Sequence, residues 1–75
     1  MSVATDLTWE QTGAVNMPRV AWHDHSLWVE YTSGNIWRFD GVSRYEYRKL
    51  LAAADKPRYV AKHVMGRYPA ERHRA

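Results

Sequence analysis

The chain has 75 residues with four Trp, five Tyr and one Phe, a composition that predicts one small folded domain and excludes a disordered chain. It contains no Cys, which excludes disulfides and thiolate zinc sites, and no apolar run near the roughly 20 residues of a membrane-spanning helix. The net charge of +3 is uneven, because residues 1–42 carry a net charge of −3 and residues 43–75 one of +6. This split indicates either an acidic or polyanionic partner for the second half or only a solvated helix surface.

The N-terminal segment, residues 1–18, has no helical or alternating pattern, and we predict a partly disordered arm that only Leu7 and Trp9 could dock. Residues 19–25 alternate and predict a short strand. Its two faces are Val20 and Trp22 on one side, and Ala21, His23 and His25 on the other.

A β-hairpin is predicted next, from Ser26 to Asp40, because apolar and polar residues alternate on both sides of a short turn. The turn contains Gly34, which accepts the positive φ that such turns require. We expect one face to be buried and the other exposed. The buried face is Leu27, Val29, Tyr31, Trp37 and Phe39, and the exposed face is Trp28, Glu30, Ile36, Arg38 and Asp40.

Two helices are predicted after the hairpin. Ser43 and Glu46 have the spacing of a capping box, and an apolar stripe from Tyr47 to Ala54 should pack on the buried face of the hairpin. Asp55 can cap a second helix, which Pro69 ends before a basic tail at residues 70–75. The predicted fold is α+β, with a three-stranded antiparallel meander followed by two helices packed on one face.

This order of residues resembles the KTSC domain, a family named after a C-terminal extension of some lysyl-tRNA synthetases. The resemblance covers residues 19–69, and the first signature of the family, L-x-V-x-F-x-x-G, corresponds here to Leu27, Val29, Tyr31 and Gly34. Trp37 and Phe39 replace the paired tyrosines of the family, and the S-x-G break between its helices becomes Asp-Lys-Pro at residues 55–57. The match continues in order through Val42, Tyr47, Leu50, Leu51, Ala54, Tyr59, Val64 and Tyr68.

The resemblance implies an α+β fold without a defined catalytic activity, and the fusion to a synthetase implies RNA as a partner. By analogy with small phage proteins of this size, we expect a non-enzymatic transcription regulator that docks on host bacterial RNA polymerase and inhibits transcription. The alternative is an RNA-binding module acting near tRNA or ribosomes. We expect a cytoplasmic monomer without a cofactor, located in the host cytoplasm if it is encoded by a phage.

Neither a metal site nor a catalytic site is predicted. His23 and His25 could present two imidazoles on one strand face, but Asp24 lies on the other face and His63 is distant in sequence. No nucleophile is arranged beside Asp24 or Glu30 for acid–base chemistry.

Two surfaces are candidate partner-binding sites. On the outer hairpin face, Trp28, Ile36 and Arg38 would form an aromatic anchor rimmed by charge, unless the N-terminal arm covers that face through Leu7 or Trp9. The helices would present cations to phosphates or acidic side chains. Tyr45 or Trp28 would be available to stack on a base. The helical tyrosines Tyr47, Tyr59 and Tyr68 are expected in the core instead. These cations are Arg44, Arg48, Lys49, Arg58, Lys62 and Arg67.

Overall fold

The computed structural model describes residues 7–74, within which five strands form one antiparallel sheet in sequential order. The predicted α+β class is confirmed. The predicted three-stranded meander is too small, because an additional strand lies at each edge of the sheet. The strands are β1 (Glu10–Gln11), β2 (Arg19–His23), β3 (Ser26–Glu30), β4 (Asn35–Asp40) and β5 (Ala70–Arg74).

The predicted hairpin is formed by β3 and β4. Leu27 pairs with Phe39 and Val29 with Trp37, so these four side chains leave the sheet on the same face. Gly34 in the connecting turn has φ +92°, a value that residues other than glycine rarely adopt. The period-2 pattern therefore predicted both the pairing and the inward direction of these residues.

The strand β2 ends two residues earlier than expected. Asp24 and His25 form a two-residue turn with φ values of 51° and 62°, and positive φ at both positions is what a type I′ hairpin turn requires. The His25 carbonyl accepts hydrogen bonds from the backbone N–H groups of Gly41 and Val42 at 2.8 and 2.9 Å. The expectation that His23 and His25 share a strand face is therefore wrong.

The first helix, α1 (Arg44–Ala52), begins at the predicted N-cap, because the Ser43 hydroxyl accepts a hydrogen bond from the backbone N–H of Glu46 at 3.1 Å. The other half of the predicted capping box is not formed, since the Glu46 carboxylate accepts a hydrogen bond from Tyr59 instead. Tyr47 and Leu50 are buried against the sheet. The helix ends before the predicted stripe does, and Ala54 is exposed.

The second helical segment is partly π-helical. Asp55 caps α2 (Lys56–Tyr59) by accepting the backbone N–H of Arg58 at 3.1 Å. The backbone then continues as a π-helix over Val60–Val64, in which the N–H of Met65 donates to the Val60 carbonyl at 2.9 Å. Both ends of this π-helix, Val60 and Val64, are buried on the sheet.

The sheet buries apolar side chains on both of its faces. The face toward the helices holds the larger cluster, which is Met17, Val20, Leu27, Val29, Phe39, Val42, Tyr47, Leu50, Val60 and Val64. On the opposite face, Trp28 and Ile36 are only 3% and 1% exposed, because Leu7 and Trp9 pack over them and Ala21. The expected exposed hairpin face is therefore wrong, and the alternative in which the N-terminal arm covers it is the observed one.

The sheet extends beyond both predicted boundaries of the domain, residues 19 and 69. Residues 70–74 of the predicted tail form a strand instead, since β5 pairs with β4 and places Glu71 opposite Arg38 and His73 opposite Ile36, and residue 75 lies outside the described residues. The imidazole of His73 lies 5.2 Å from the Trp28 ring and helps to enclose it. Part of the predicted arm, residues 1–18, forms β1, which pairs with β2, and Leu7 and Met17 of that arm are buried. Residues 1–6 of the predicted arm lie outside the described residues.

Candidate functional site

The cations of the two helices form the more conspicuous candidate surface. Each of the six predicted cations is exposed. Within residues 7–74, the ion pairs all involve residues of the sheet: Arg19 with Glu30, Arg38 with Asp40 and Glu71, and His73 with Glu71. We call these six exposed cations the cationic surface; they are Arg44, Arg48 and Lys49 on α1, Arg58 and Lys62 on the second helical segment, and Arg67 in the turn that follows it. The second helical segment ends at Val64, so the prediction that it continues to Pro69 with Arg67 on it is wrong.

The two acidic residues of the helical segment are engaged elsewhere. The Glu46 carboxylate accepts the hydroxyl hydrogen bond of Tyr59 and so joins the two helices. Burial, followed by this hydrogen bond and the charge of Glu46, raises the pKa of Tyr59 to about 12. Asp55 caps the backbone of Arg58. Neither carboxylate forms an ion pair with a side chain of the cationic surface.

The solvent side of α1 combines charge with an aromatic ring. Arg44 and Arg48 are four residues apart and so lie on the same side of the helix. Tyr45 is 72% exposed, and the Lys49 ammonium lies 5.3 Å from its ring centroid. By contrast, the Lys56 ammonium donates to the Ala53 carbonyl at 3.0 Å and serves the junction between the helices.

A groove lies beside the hairpin turn, where the helical segment ends and leaves part of the sheet uncovered. Its volume is about 410 Å³, and a smaller hollow of about 200 Å³ shares Trp37 and Met65 with it. Trp37 faces the helical side, as predicted, but is only half-buried. The larger part is lined by Asn16, Tyr31, Thr32, Ser33, Asn35, Trp37 and Met65. The sequence did not reveal this groove, because its walls come from distant segments of the chain.

The predicted binding residues on the hairpin are not brought together with the cationic surface. Trp28 and Ile36 are buried on the sheet face opposite the helices. The Arg38 guanidinium is committed to carboxylates, with its Nε 3.0 Å from Asp40 and another nitrogen 2.9 Å from Glu71. The Arg38 guanidinium also lies 5.7 Å from the centroid of the Trp28 ring. Trp28, Ile36 and Arg38 therefore contribute to the folded sheet and its cover rather than to an exposed binding surface.

In the part of the chain that the structure describes, no three His, Cys, Asp or Glu residues lie close enough together to hold a metal ion. No helix in that part has the length and hydrophobicity that a membrane span requires.

A five-stranded sheet with two helical segments on one face and a terminal segment on the other defines a small α+β domain. The KTSC domain family matches residues 16–68, and the chain belongs to this family. A KTSC domain protein from Yersinia pestis has a similar structure, with a TM-score of 0.83 at 10% identity over 89% of this chain and 97% of that chain. At this identity the likeness shows the fold alone. A comparison with curated proteins gave no match.

Proposed function

We propose that this chain is a non-enzymatic binding module whose cationic surface binds RNA. The observation that supports the proposal is six exposed cations without a carboxylate partner among residues 7–74. Such cations can neutralise phosphates and release their counterions, which is the main source of affinity for a nucleic acid backbone. The partner implied by the resemblance of the sequence is also RNA.

Docking on bacterial RNA polymerase is the second candidate function. It was the first expectation from the sequence, with RNA binding as the alternative. That expectation required Trp28 and Ile36 as an aromatic anchor, and both are buried beneath the N-terminal segment. What favours a protein partner is the exposure of Tyr45 and Met65, at 72% and 42%, because aromatic and Met side chains are enriched in protein interfaces. The cationic surface could then meet an acidic patch of the polymerase.

The test is the salt dependence of RNA affinity, measured by fluorescence anisotropy with a labelled single-stranded RNA. Each phosphate neutralised on a single strand contributes about −0.7 to the slope of log K against log salt concentration. With Arg44→Gln and Arg48→Gln combined, we expect weaker binding at low salt and a slope shallower by about 1.4. Absence of wild-type binding at low salt would contradict the proposal.

A matched control removes one charge from the sheet side of the molecule. Arg19 is ion-paired with Glu30 at 2.5 Å and lies outside the cationic surface. Arg19→Gln should therefore leave the salt slope unchanged. For the second candidate, the tagged protein is used to capture polymerase subunits from a bacterial lysate treated with nuclease, and their absence counts against polymerase docking.

A further inference from the structure

We propose that the groove beside Trp37 binds an unpaired nucleobase of the RNA, which stacks on the indole ring. This inference rests on the proposed function and adds a second contact to it. Phosphates would be held by the cationic surface, and one base would be held in the groove.

The composition of the groove fits a flat aromatic ligand with polar edges. Its apolar walls are Tyr31, Trp37 and Met65, of which Trp37 is half-buried and Met65 is 42% exposed. Asn16 and Asn35 also line it, and amide groups can both donate to and accept from the edge of a base. The Asn35 amide donates to the Ser33 hydroxyl at 3.3 Å, which leaves its carbonyl oxygen to accept from a base.

An exposed cation lies next to Trp37 on the neighbouring strand. Arg72 is directly opposite Trp37 in the pairing of β4 with β5, so its side chain leaves the sheet on the same face as the indole ring. A nucleotide stacked on Trp37 would therefore have a positive charge available to its phosphate. An uncharged apolar peptide would gain nothing from this cation.

The experiment compares two ligands of equal length and charge. One is a single-stranded RNA of nine nucleotides, and the other is an abasic oligomer with the same number of phosphates. Stacking of a base on an aromatic side chain predicts that Trp37→Leu weakens RNA binding by roughly five- to one hundred-fold. The abasic oligomer should bind wild type and Trp37→Leu within about two-fold of each other, because it is held by its phosphates alone. Trp37→Phe retains an aromatic face and should recover most of the RNA affinity.

A measurement on wild-type protein keeps the test independent of folding defects in the variants. The chain labelled with 5-fluorotryptophan gives fluorine resonances for its four Trp residues, and Trp37→Phe assigns that of Trp37. RNA should shift this resonance, and the abasic oligomer should leave it in place. A shift of Trp37 on addition of an apolar peptide, with none on addition of RNA, would identify the groove as a peptide site and overturn the inference.

The two proposals fail in different ways. If wild type binds the RNA and the abasic oligomer equally, and Trp37→Leu changes neither affinity, the groove takes no base while the cationic surface still binds RNA. If wild type binds neither ligand at low salt, the proposed function fails and the inference fails with it.

Discussion

Tyr59 and Glu46 show how a single residue pair fixes the position of the two helices. The Tyr59 hydroxyl donates to the Glu46 carboxylate, and the Tyr59 ring also lies 4.6 Å from that of His63. A hydrogen bond to a charged acceptor contributes more to stability than one between neutral groups. The same contact directs the Glu46 carboxylate toward Tyr59, and this carboxylate forms no ion pair with a side chain of the cationic surface.

We expect Tyr59→Phe to lower the free energy of unfolding by about 1–2 kcal/mol, because it removes a hydrogen bond to a carboxylate. Urea denaturation measures the change. Tyr45→Phe is the matched control, since the Tyr45 side chain is 72% exposed, and it should change stability by less than about 0.5 kcal/mol. Equal losses of unfolding free energy in Tyr59→Phe and Tyr45→Phe would contradict a stabilising hydrogen bond between Tyr59 and Glu46.

The same residue predicts a pH dependence. Burial first, and then Glu46, raises the pKa of Tyr59 to about 12, compared with about 10 in an unfolded chain. Its contribution to stability is therefore complete below pH 10 and is lost as the pH rises through 12. Urea denaturation between pH 9 and 12 should show a shallower loss of stability in Tyr59→Phe than in wild type. Burial, followed by the charge of Glu10, also raises the pKa of Tyr47 to about 12, so part of the loss remains in the variant.

Among the elements, the turn between β2 and β3 depends most on unusual backbone angles. His25 has φ 62°, and a β-branched residue at such an angle is strained. We expect His25→Val to lower the free energy of unfolding by about 1–2 kcal/mol relative to His25→Gly. Both variants lose the ring contact with Trp22, so their difference in urea denaturation isolates the backbone. Equal stability of the two variants would show that the turn can change its conformation.

Local sequence signals account for the elements that could be predicted. The hairpin has period-2 alternation, and α1 has a capping residue and an apolar stripe, so each is specified within its own segment. The strand β5 (Ala70–Arg74) has one apolar and four polar residues, and its pairing with β4 instead uses backbone hydrogen bonds and the contact of Glu71 with Arg38. Charged residues are usual on edge strands, but they give no strand signal.

The same reasoning separates the predictable part of the candidate site from the rest. The cations could be found because opposite faces of an amphipathic helix are readable from sequence. Burial of Trp28 could not be read from its strand, since it depends on Leu7 and Trp9 packing from elsewhere in the chain. The groove depends likewise on where Met65 ends the helical segment above Trp37.

The N-terminal segment should stabilise the sheet face that it covers. Trp9 packs on the cluster containing Trp28 and Ile36, and the Arg19 guanidinium lies 4.4 Å from its ring centroid. We expect Trp9→Ala to lower the free energy of unfolding by about 1–3 kcal/mol and to increase binding of a hydrophobic dye. Val15→Ala is the control, because Val15 is 90% exposed, and it should change neither quantity. An unchanged dye signal in Trp9→Ala would show that Trp28 and Ile36 remain buried without the Trp9 side chain.

At the scale of the whole molecule, the cationic surface should lower the free energy of unfolding when no partner is bound. Arg44 is the first residue of α1, where the helix dipole disfavours a positive charge, and Arg48 lies one turn further along. The two like charges repel each other, and salt screens this repulsion over about 10 Å at 0.1 M. A polyanion bound to the surface would remove the repulsion and stabilise the fold by mass action.

We therefore expect the Arg44→Gln and Arg48→Gln double variant to be more stable than wild type by about 0.5 kcal/mol at low salt, with the difference vanishing near 1 M salt. Gln has nearly the same helix propensity as Arg, so the change reports on charge. Thermal unfolding at several salt concentrations measures it. The same variant should bind RNA more weakly, and these opposite effects would identify the cations as serving binding at the expense of stability. A double variant less stable than wild type at low salt would show instead that Arg44 and Arg48 support the fold.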